Sequence, residues 1–360
     1  QVDGFDLVSP RIEALMPVVM RCARAGLGAW ALRAVHFHAA QRPDAEPLVT
    51  LVYADDLGDG GAWRAAAAAL RAAARSELGE AIHVTGRCKG KTLHFDHDFV
   101  LEQLTLEDGR ALLYEQPEGS FSHPNARANE QTLSWLCRRA QIISGQGGEA
   151  KNLLELYCGD APGRSNAGCG NHTAALQKYF CEIVAVDVDG RLTAAALRNV
   201  ARNRPSGANE SVHVVTSDSA RACGRILRQK RWRVAGTPHK IAFDAVLVDP
   251  PRCGIDPATL RLLDAYEDVL YVSCNPTALR NDLEKLAETH DIAAFCALDA
   301  FPSTPHLECL VHLVRRKHAD ADEGAADAGD GAPHTRDGAV SLWEAAYAWL
   351  FPAAPPTEPE

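Results

Sequence analysis

Phe243-Asp244-Ala245-Val246-Leu247-Val248-Asp249-Pro250-Pro251-Arg252 is an apolar run that stops abruptly at an acidic residue and two prolines. Val269-Leu270-Tyr271-Val272-Ser273-Cys274-Asn275-Pro276 repeats the design and ends on a cysteine. Both read as buried strands closed by residues that cannot continue them. Upstream, Leu153-Leu154-Glu155-Leu156-Tyr157-Cys158-Gly159 is a strand running into a tight turn, and Ile183-Val184-Ala185-Val186 ends at Asp187. Helical spacing over Thr173–Tyr179 and Leu192–Ala201, with a further strand over Val212–Thr216, makes strand and helix alternate. Such alternation predicts a mostly parallel sheet with helices on both faces. In sheets of this kind the ligand lies beyond the carboxyl ends of the strands, so Asp249 and Cys274 are expected on one edge.

The strand ends suit an adenosine-containing cofactor. Gly159 lets the backbone approach a ligand closely, and Asp187 is placed to accept hydrogen bonds from ribose hydroxyls. Apolar strands ending in Gly or Asp also serve other ligands in doubly wound proteins, so these features alone leave the ligand open. A lone strand-end cysteine is ordinarily a small buried hydrophobe. Exposure before a helix start is a setting that lowers a thiol's pKa.

The rest of the 360 residues frames this core. Hydrophobic content of 46% and charged content of 23% are those of a globular protein. Residues 1–118 read as a smaller α/β region. Helices are expected over Arg11–Ala25 and Gly61–Leu78, strands over Leu32–His38, Leu48–Tyr53 and Ile82–Gly86, and a basic turn around Arg87, Lys89 and Lys91. Residues 119–317 open with a helix over Ala126–Arg139 and carry the sheet. From His318 onward the chain holds nine acidic residues against one Arg, which accounts for −8 of the formal charge of −10 and leaves the body near −2. A near-neutral body neither supports nor excludes an RNA partner. The stretch 318–337 is expected to be disordered, followed by a short amphipathic helix over Ser341–Phe351. No apolar run approaches the length of a membrane span. Eleven cysteines without a CxxC pair point to reduced thiols in an intracellular protein and to no metal site. The cytoplasm is the expected compartment, with organelle and nucleus left open because the chain begins with Gln1.

Five runs together resemble the tRNA uracil-5 methyltransferase family, in its bacterial-type branch. They are Phe121-Ser122-His123-Pro124-Asn125-Ala126, Leu153–Gly159, Asp249–Arg252, Ser273–Pro276 and Phe301–Cys309. The resemblance implies a Rossmann-like S-adenosylmethionine-dependent methyltransferase domain. It is preceded by a smaller RNA-binding α/β domain that begins part-way into the family's pattern. It also implies tRNA, through its T-arm, as the partner of a monomeric enzyme. By resemblance Cys274 is the nucleophile and Glu308 the base. His123, Tyr157, Gly159, Asn171, Asp187 and Asp249 contact the cofactor, and Asp249, Arg252 and Asn275 the substrate. The chemistry fits those residue types. Uracil C5 is a poor nucleophile, and a thiolate adding at C6 makes it an enolate carbon able to take a methyl group. A base must then remove the C5 proton so that the thiolate can leave.

Two departures from the family pattern stand out. His123 occupies a place where the family usually has Gln, and it is expected to make cofactor binding sensitive to pH. The Gly-rich loop is interrupted, with Ala161–Cys169 separating Cys158-Gly159-Asp160 from Gly170-Asn171-His172-Thr173. An insert rich in Gly, Ser, Asn and Pro is expected to loop outward from an intact turn at small entropic cost. The competing readings are a ribosomal-RNA uracil methyltransferase, an amino-group methyltransferase, and a non-catalytic tRNA-binding relative whose cofactor site the insert has broken.

Overall fold

The computed structural model describes residues 8–120, 122–147, 149–157, 168–205, 212–235, 238–304 and 306–316. The expectations for Gly159, for residues 161–167 of the insert, for 318–337 and for the Ser341–Phe351 helix lie outside these residues.

The N-terminal part is a four-stranded sheet covered by two helices. Helix α1 (Pro10–Ala25) starts where the Ser9 hydroxyl accepts from the Ile12 amide, an N-cap with Pro at the first helical position. Strands β1 (Leu32–His38) and β2 (Leu48–Tyr53) pair antiparallel. Helix α2 (Gly61–Leu78) crosses to β3 (His83–Cys88), which runs parallel to β2, and β4 (Lys91–His94) folds back on β3. Lys89 and Gly90 make that turn at positive φ. Arg87 lies within β3 and pairs with Glu118, and Lys91 bonds to the Gly58 carbonyl, so the expected basic turn is partly tied down. Leu15, Trp63, Leu70, Val49 and Val84 form this part's core. A Cβ at Gly86 would lie 2.6 Å from the Trp63 ring, which is why a glycine interrupts a buried strand.

A hairpin of β5 (Phe99–Thr105) and β6 (Ala111–Pro117) leads into α3 (Ala126–Gly145), six residues longer than expected. Leu104, Leu112 and Tyr114 of the hairpin share a core with Leu133 and Leu136 of α3. The free edge of β6 is met by side chains rather than by a strand. Asn203 bonds to both the amide and the carbonyl of Leu113, and Asn199 does the same for Glu115.

The main sheet contains β7 (Asn152–Leu156), β8 (Glu182–Asp187), β9 (Val212–Thr216), β12 (Ala245–Val248), β13 (Asp268–Ser273), β14 (His290–Leu298) and β15 (Glu308–Arg315). Its order is β14-β15-β13-β12-β7-β8-β9, and β15 alone runs against its neighbours. The crossovers carry α4 (Asn171–Leu176), α5 (Gly190–Arg202), α6 (Ser219–Gln229), α7 (Pro257–Leu263) and α8 (Pro276–Leu286). A two-stranded ribbon of β10 (Trp232–Arg233) and β11 (Lys240–Ile241) lies between α6 and β12. Leu154, Val246 and Tyr271 face one core and Leu153, Leu247 and Leu270 the other. Burial on both faces is why these strands read as unbroken apolar runs. The helix expected over Thr173–Tyr179 begins two residues earlier, at Asn171, and ends at Leu176.

Candidate active site

Paired residues Leu156↔Val248, Val248↔Tyr271 and Leu156↔Val186 bring the ends of β7, β12, β13 and β8 to one edge of the sheet. Tyr157, Asp187, Asp249 and Cys274 therefore gather there. Strand β15 enters at the same edge from the opposite direction. Its register sets Cys309 against Ser273, so Glu308 arrives beside the strand end that carries Cys274. Asp249, Cys274, Glu308, His123, Asn171 and His172 line one cavity of about 130 Å³, closed further by Arg252 and Phe301. A second cavity of about 280 Å³ is lined by Tyr157, Asp187, Val188, Asp218, Ile255 and Asp256. A wider cleft of about 440 Å³ beside β1 and β6 shares His123 and Pro124 with the first cavity.

Burial dominates the electrostatics of the smaller cavity. Glu308 is 5% exposed, and loss of water pushes its carboxyl up to about 7. Asp249 is 3% exposed. Burial, and after it the neighbouring Glu308 and Glu155 carboxylates, hold it well above the usual carboxylate range. Two acidic groups so placed favour sharing a proton over ionising together. Cys274 is 7% exposed and sits one residue before the Asn275 cap of α8, where the helix end favours negative charge. Asn275 itself does not line the cavity. Its Oδ1 accepts from the Thr277 amide at 3.1 Å and its Nδ2 donates to the Arg252 carbonyl at 2.7 Å, which ties the segments after β12 and β13 together.

Local backbone constraints shape the second cavity. Asp187 is buried, and its Oδ1 accepts from the Asp189 amide at 2.7 Å. Tyr157 adopts φ 61°, an uncommon conformation for a residue with a side chain. Its hydroxyl donates to Asp256 Oδ2 at 2.7 Å, and burial raises its pKa. Gly170 stands at φ 72°, and a Cβ there would lie 2.7 Å from the Ala196 Cβ. The far end of the insert is thus pinned against α5, and Asn199 holds the Cys169 carbonyl at 3.0 Å. Asn171 exchanges amide hydrogen bonds with Asn129 at 2.7 and 3.1 Å.

Sequence reading placed most of these residues at the correct edge and missed others. His123 joins the Cys274 cavity, where its ring stacks on Phe301 with centroids 6.0 Å apart. Burial pushes it down to about 4. The imidazole is therefore neutral from mildly acidic pH upward, and the expected pH sensitivity through His123 is corrected. Its Nδ1 accepts from the Asn125 amide, which leaves the proton on Nε2. Glu155, His172, Asn129 and Phe301 were not singled out. Only Glu155 gave a signal, as one acid inside an apolar strand.

Among the described residues no helix is long and apolar enough to cross a membrane, and no cluster of His, Cys, Asp and Glu has the geometry of a metal site. The fold resembles that of the Pyrococcus abyssi tRNA (uracil-54, C5)-methyltransferase in complex with S-adenosyl-L-homocysteine. The TM-score is 0.61 at 19% identity, covering 87% of this chain and 70% of that one. At sequence level the chain is 36% identical over 324 residues to a tRNA/tmRNA (uracil-C(5))-methyltransferase of Sodalis glossinidius, covering 89% of this chain and 80% of the relative. It is 39% identical over 275 residues to one of Dechloromonas aromatica, covering 75% and 68%. The profile of the tRNA (Uracil-5-)-methyltransferase family matches residues 1–316. Cys274, Asp249 and Glu308 meet in one cavity beside another that bears Asp187, and the family similarity runs through residues 1–316: the chain belongs to the tRNA (uracil-5-)-methyltransferase family.

Proposed function

We propose that the protein methylates C5 of a uridine in tRNA, in the T-loop, with S-adenosylmethionine as methyl donor. The observation that carries this reading is the convergence of Cys274, Asp249 and Glu308 on one small cavity next to a larger one bearing Asp187. The larger cavity fits an adenosine. Its carboxylate suits a ribose diol, and Val188, an exposed apolar side chain at its rim, suits a purine face. Tyr157, Asp187 and the turn leading to Asn171 would hold the cofactor, which supplies an electrophilic methyl group.

The protein's own residues do the rest. Cys274, as the thiolate, bonds through Sγ to uracil C6, and the electron pair of the C5–C6 double bond moves toward the C4 carbonyl. Asp249, held protonated by its surroundings, donates to that oxygen as negative charge gathers there. After methylation of C5, ionised Glu308 takes the C5 proton and the C6–S bond breaks. A carboxyl raised to about 7 is suited to that task near neutral pH. The uridine must leave its stack to reach Cys274, at a cost of about a few kcal/mol. In this reading residues up to 118 face the RNA and residues 119–317 catalyse.

Unmodified tRNA carrying 5-fluorouridine at the target, mixed with S-adenosylmethionine, tests the reading. Fluorine cannot depart as a proton does, so the enzyme should stall as a covalent protein–RNA adduct that Cys274→Ala abolishes. Intact tRNA binding without an adduct would favour a non-catalytic relative.

A further inference from the structure

Glu155 stands between Leu154 and Leu156 inside β7 and is 1% exposed. A carboxyl in such a place is costly unless partners meet it. Thr173 Oγ1 donates to its Oε2 at 2.5 Å, while Oε1 has no hydrogen-bond partner among the described residues. His172 Nδ1 lies 3.6 Å from that oxygen. The other nitrogen of the same ring, Nε2, lies 3.9 Å from Asp249 Oδ2. The imidazole is 3% exposed and cannot swing into solvent. It sits end-on between a carboxyl outside the reaction cavity and one that lines it. Both gaps exceed a direct hydrogen bond by a few tenths of an ångström, as catalytic contacts often do before substrate arrives.

The surroundings leave this task to His172. Among the described residues it is the only basic group within ion-pair distance of Asp249. Several neighbouring polar groups are engaged elsewhere, while His123 Nε2 and Thr132 Oγ1 of the same cavity have no hydrogen-bond partner among the described residues. The Tyr114 hydroxyl donates to the Asn171 carbonyl, and Arg198 and Arg202 pair with Glu115. Asp249 Oδ1 has no hydrogen-bond partner among the described residues, so it is the oxygen left for a ligand.

We propose that His172 is the positioning residue of Asp249. Its imidazole, braced by Glu155 at Nδ1 and presented to Asp249 at Nε2, fixes the carboxyl in the orientation that meets the uridine. The assignment rests on the function proposed above, in which Asp249 contacts the reacting base. Glu155 then belongs to the same relay, one step further from the substrate.

The test compares wild type, His172→Phe and His172→Gln as full chains. Its readout is the single-turnover rate of adduct formation on 5-fluorouridine tRNA at saturating S-adenosylmethionine. Phe keeps the ring and removes both nitrogens, whereas Gln keeps a donor and an acceptor on a side chain of similar reach. His172→Phe should slow the adduct on the order of 10-fold to 100-fold, as loss of an orienting partner does. Affinities for tRNA and for S-adenosylmethionine should stay within about threefold, and His172→Gln should recover to within about fivefold of wild type. A purely structural role would weaken binding and rate together and would not distinguish Gln from Phe. A Phe variant within about twofold of wild type, or a Gln variant as slow as Phe, overturns the assignment. So does a Phe variant melting more than about 10 °C below wild type, which would mark the ring as a folding element. Absence of an adduct in wild type itself overturns the proposed function and the relay with it. A wild-type adduct with an indifferent Phe variant overturns the relay alone.

Discussion

Replacing Glu308 with Gln should stabilise the protein and stop its turnover, and the two effects have one cause. Folding raises this carboxyl from 4.5 to about 7 by removing it from water. The folded state therefore binds the proton more tightly than the unfolded state. Stability contributed by that proton is present below about pH 4.5 and lost as pH rises through about 7. At about 1.4 kcal/mol per pH unit, the rise corresponds to ~3 kcal/mol. Gln has the same shape and no charge to desolvate. Glu308→Gln should match wild type within ~1 kcal/mol at pH 5 and exceed it by ~3 kcal/mol at pH 8. Asp249 is buried in both proteins, and relief of its repulsion with Glu308 adds to the difference with the same sign. Urea unfolding at pH 5, 6, 7 and 8 reads the effect as a shift in midpoint at constant slope. Activity should run the other way. Wild-type turnover should fall about tenfold for each pH unit below 6. The Gln variant should accumulate a Cys274 adduct on ordinary tRNA, because the C5 proton stays in place. A stability difference independent of pH would refute the reasoning, as would a Gln variant turning over at more than about 1% of the wild-type rate.

Further outcomes follow from other parts of the site. Binding of S-adenosylmethionine should be flat between pH 5.5 and 8 as far as His123 is concerned, since that ring titrates near 4. Calorimetry showing a pH dependence that His123→Gln removes would contradict this. Asp187→Ala should weaken S-adenosylmethionine by ~2 kcal/mol, about 30-fold in Kd, with tRNA affinity unchanged. An equal loss in both would assign the carboxylate to folding instead. Gly170→Ala should destabilise by ~2–4 kcal/mol in chemical denaturation, because it combines an unfavourable φ with a 2.7 Å approach to Ala196. A loss below ~1 kcal/mol would show that α4 and α5 can separate there.

The central strands were legible because helices cover both faces of the sheet and keep them largely apolar. Its ligand edge was legible because Asp249-Pro250-Pro251 and Ser273-Cys274-Asn275-Pro276 stop their strands where the chain turns. What stayed hidden depends on which strands become neighbours. The reversed direction of β15 and its pairing of Cys309 with Ser273 have no local signal, so Glu308 was found by family pattern and not by spacing. The hairpin β5–β6 was missed because buried Glu102, Glu115 and Gln116 break its apolar alternation. His172 carries no signal of its own in the sequence, and only the fold sets it between Glu155 of β7 and Asp249 after β12. His123 was misread as a pH sensor because its enclosure, which sets its protonation, is a tertiary property.

Strand β15 has hydrogen-bonded neighbours on both sides, with Cys309 opposite Ser273 on one and Ala297 on the other. Cys274 and Glu308 therefore hang from adjoining rungs of two strands that are each paired on both sides, where strands open late. Amide exchange with deuterium at Cys309 and Leu310 should be as slow as unfolding of the whole domain. The loops around the cavity can breathe, but Cys274 and Glu308 separate only when the protein ceases to be folded.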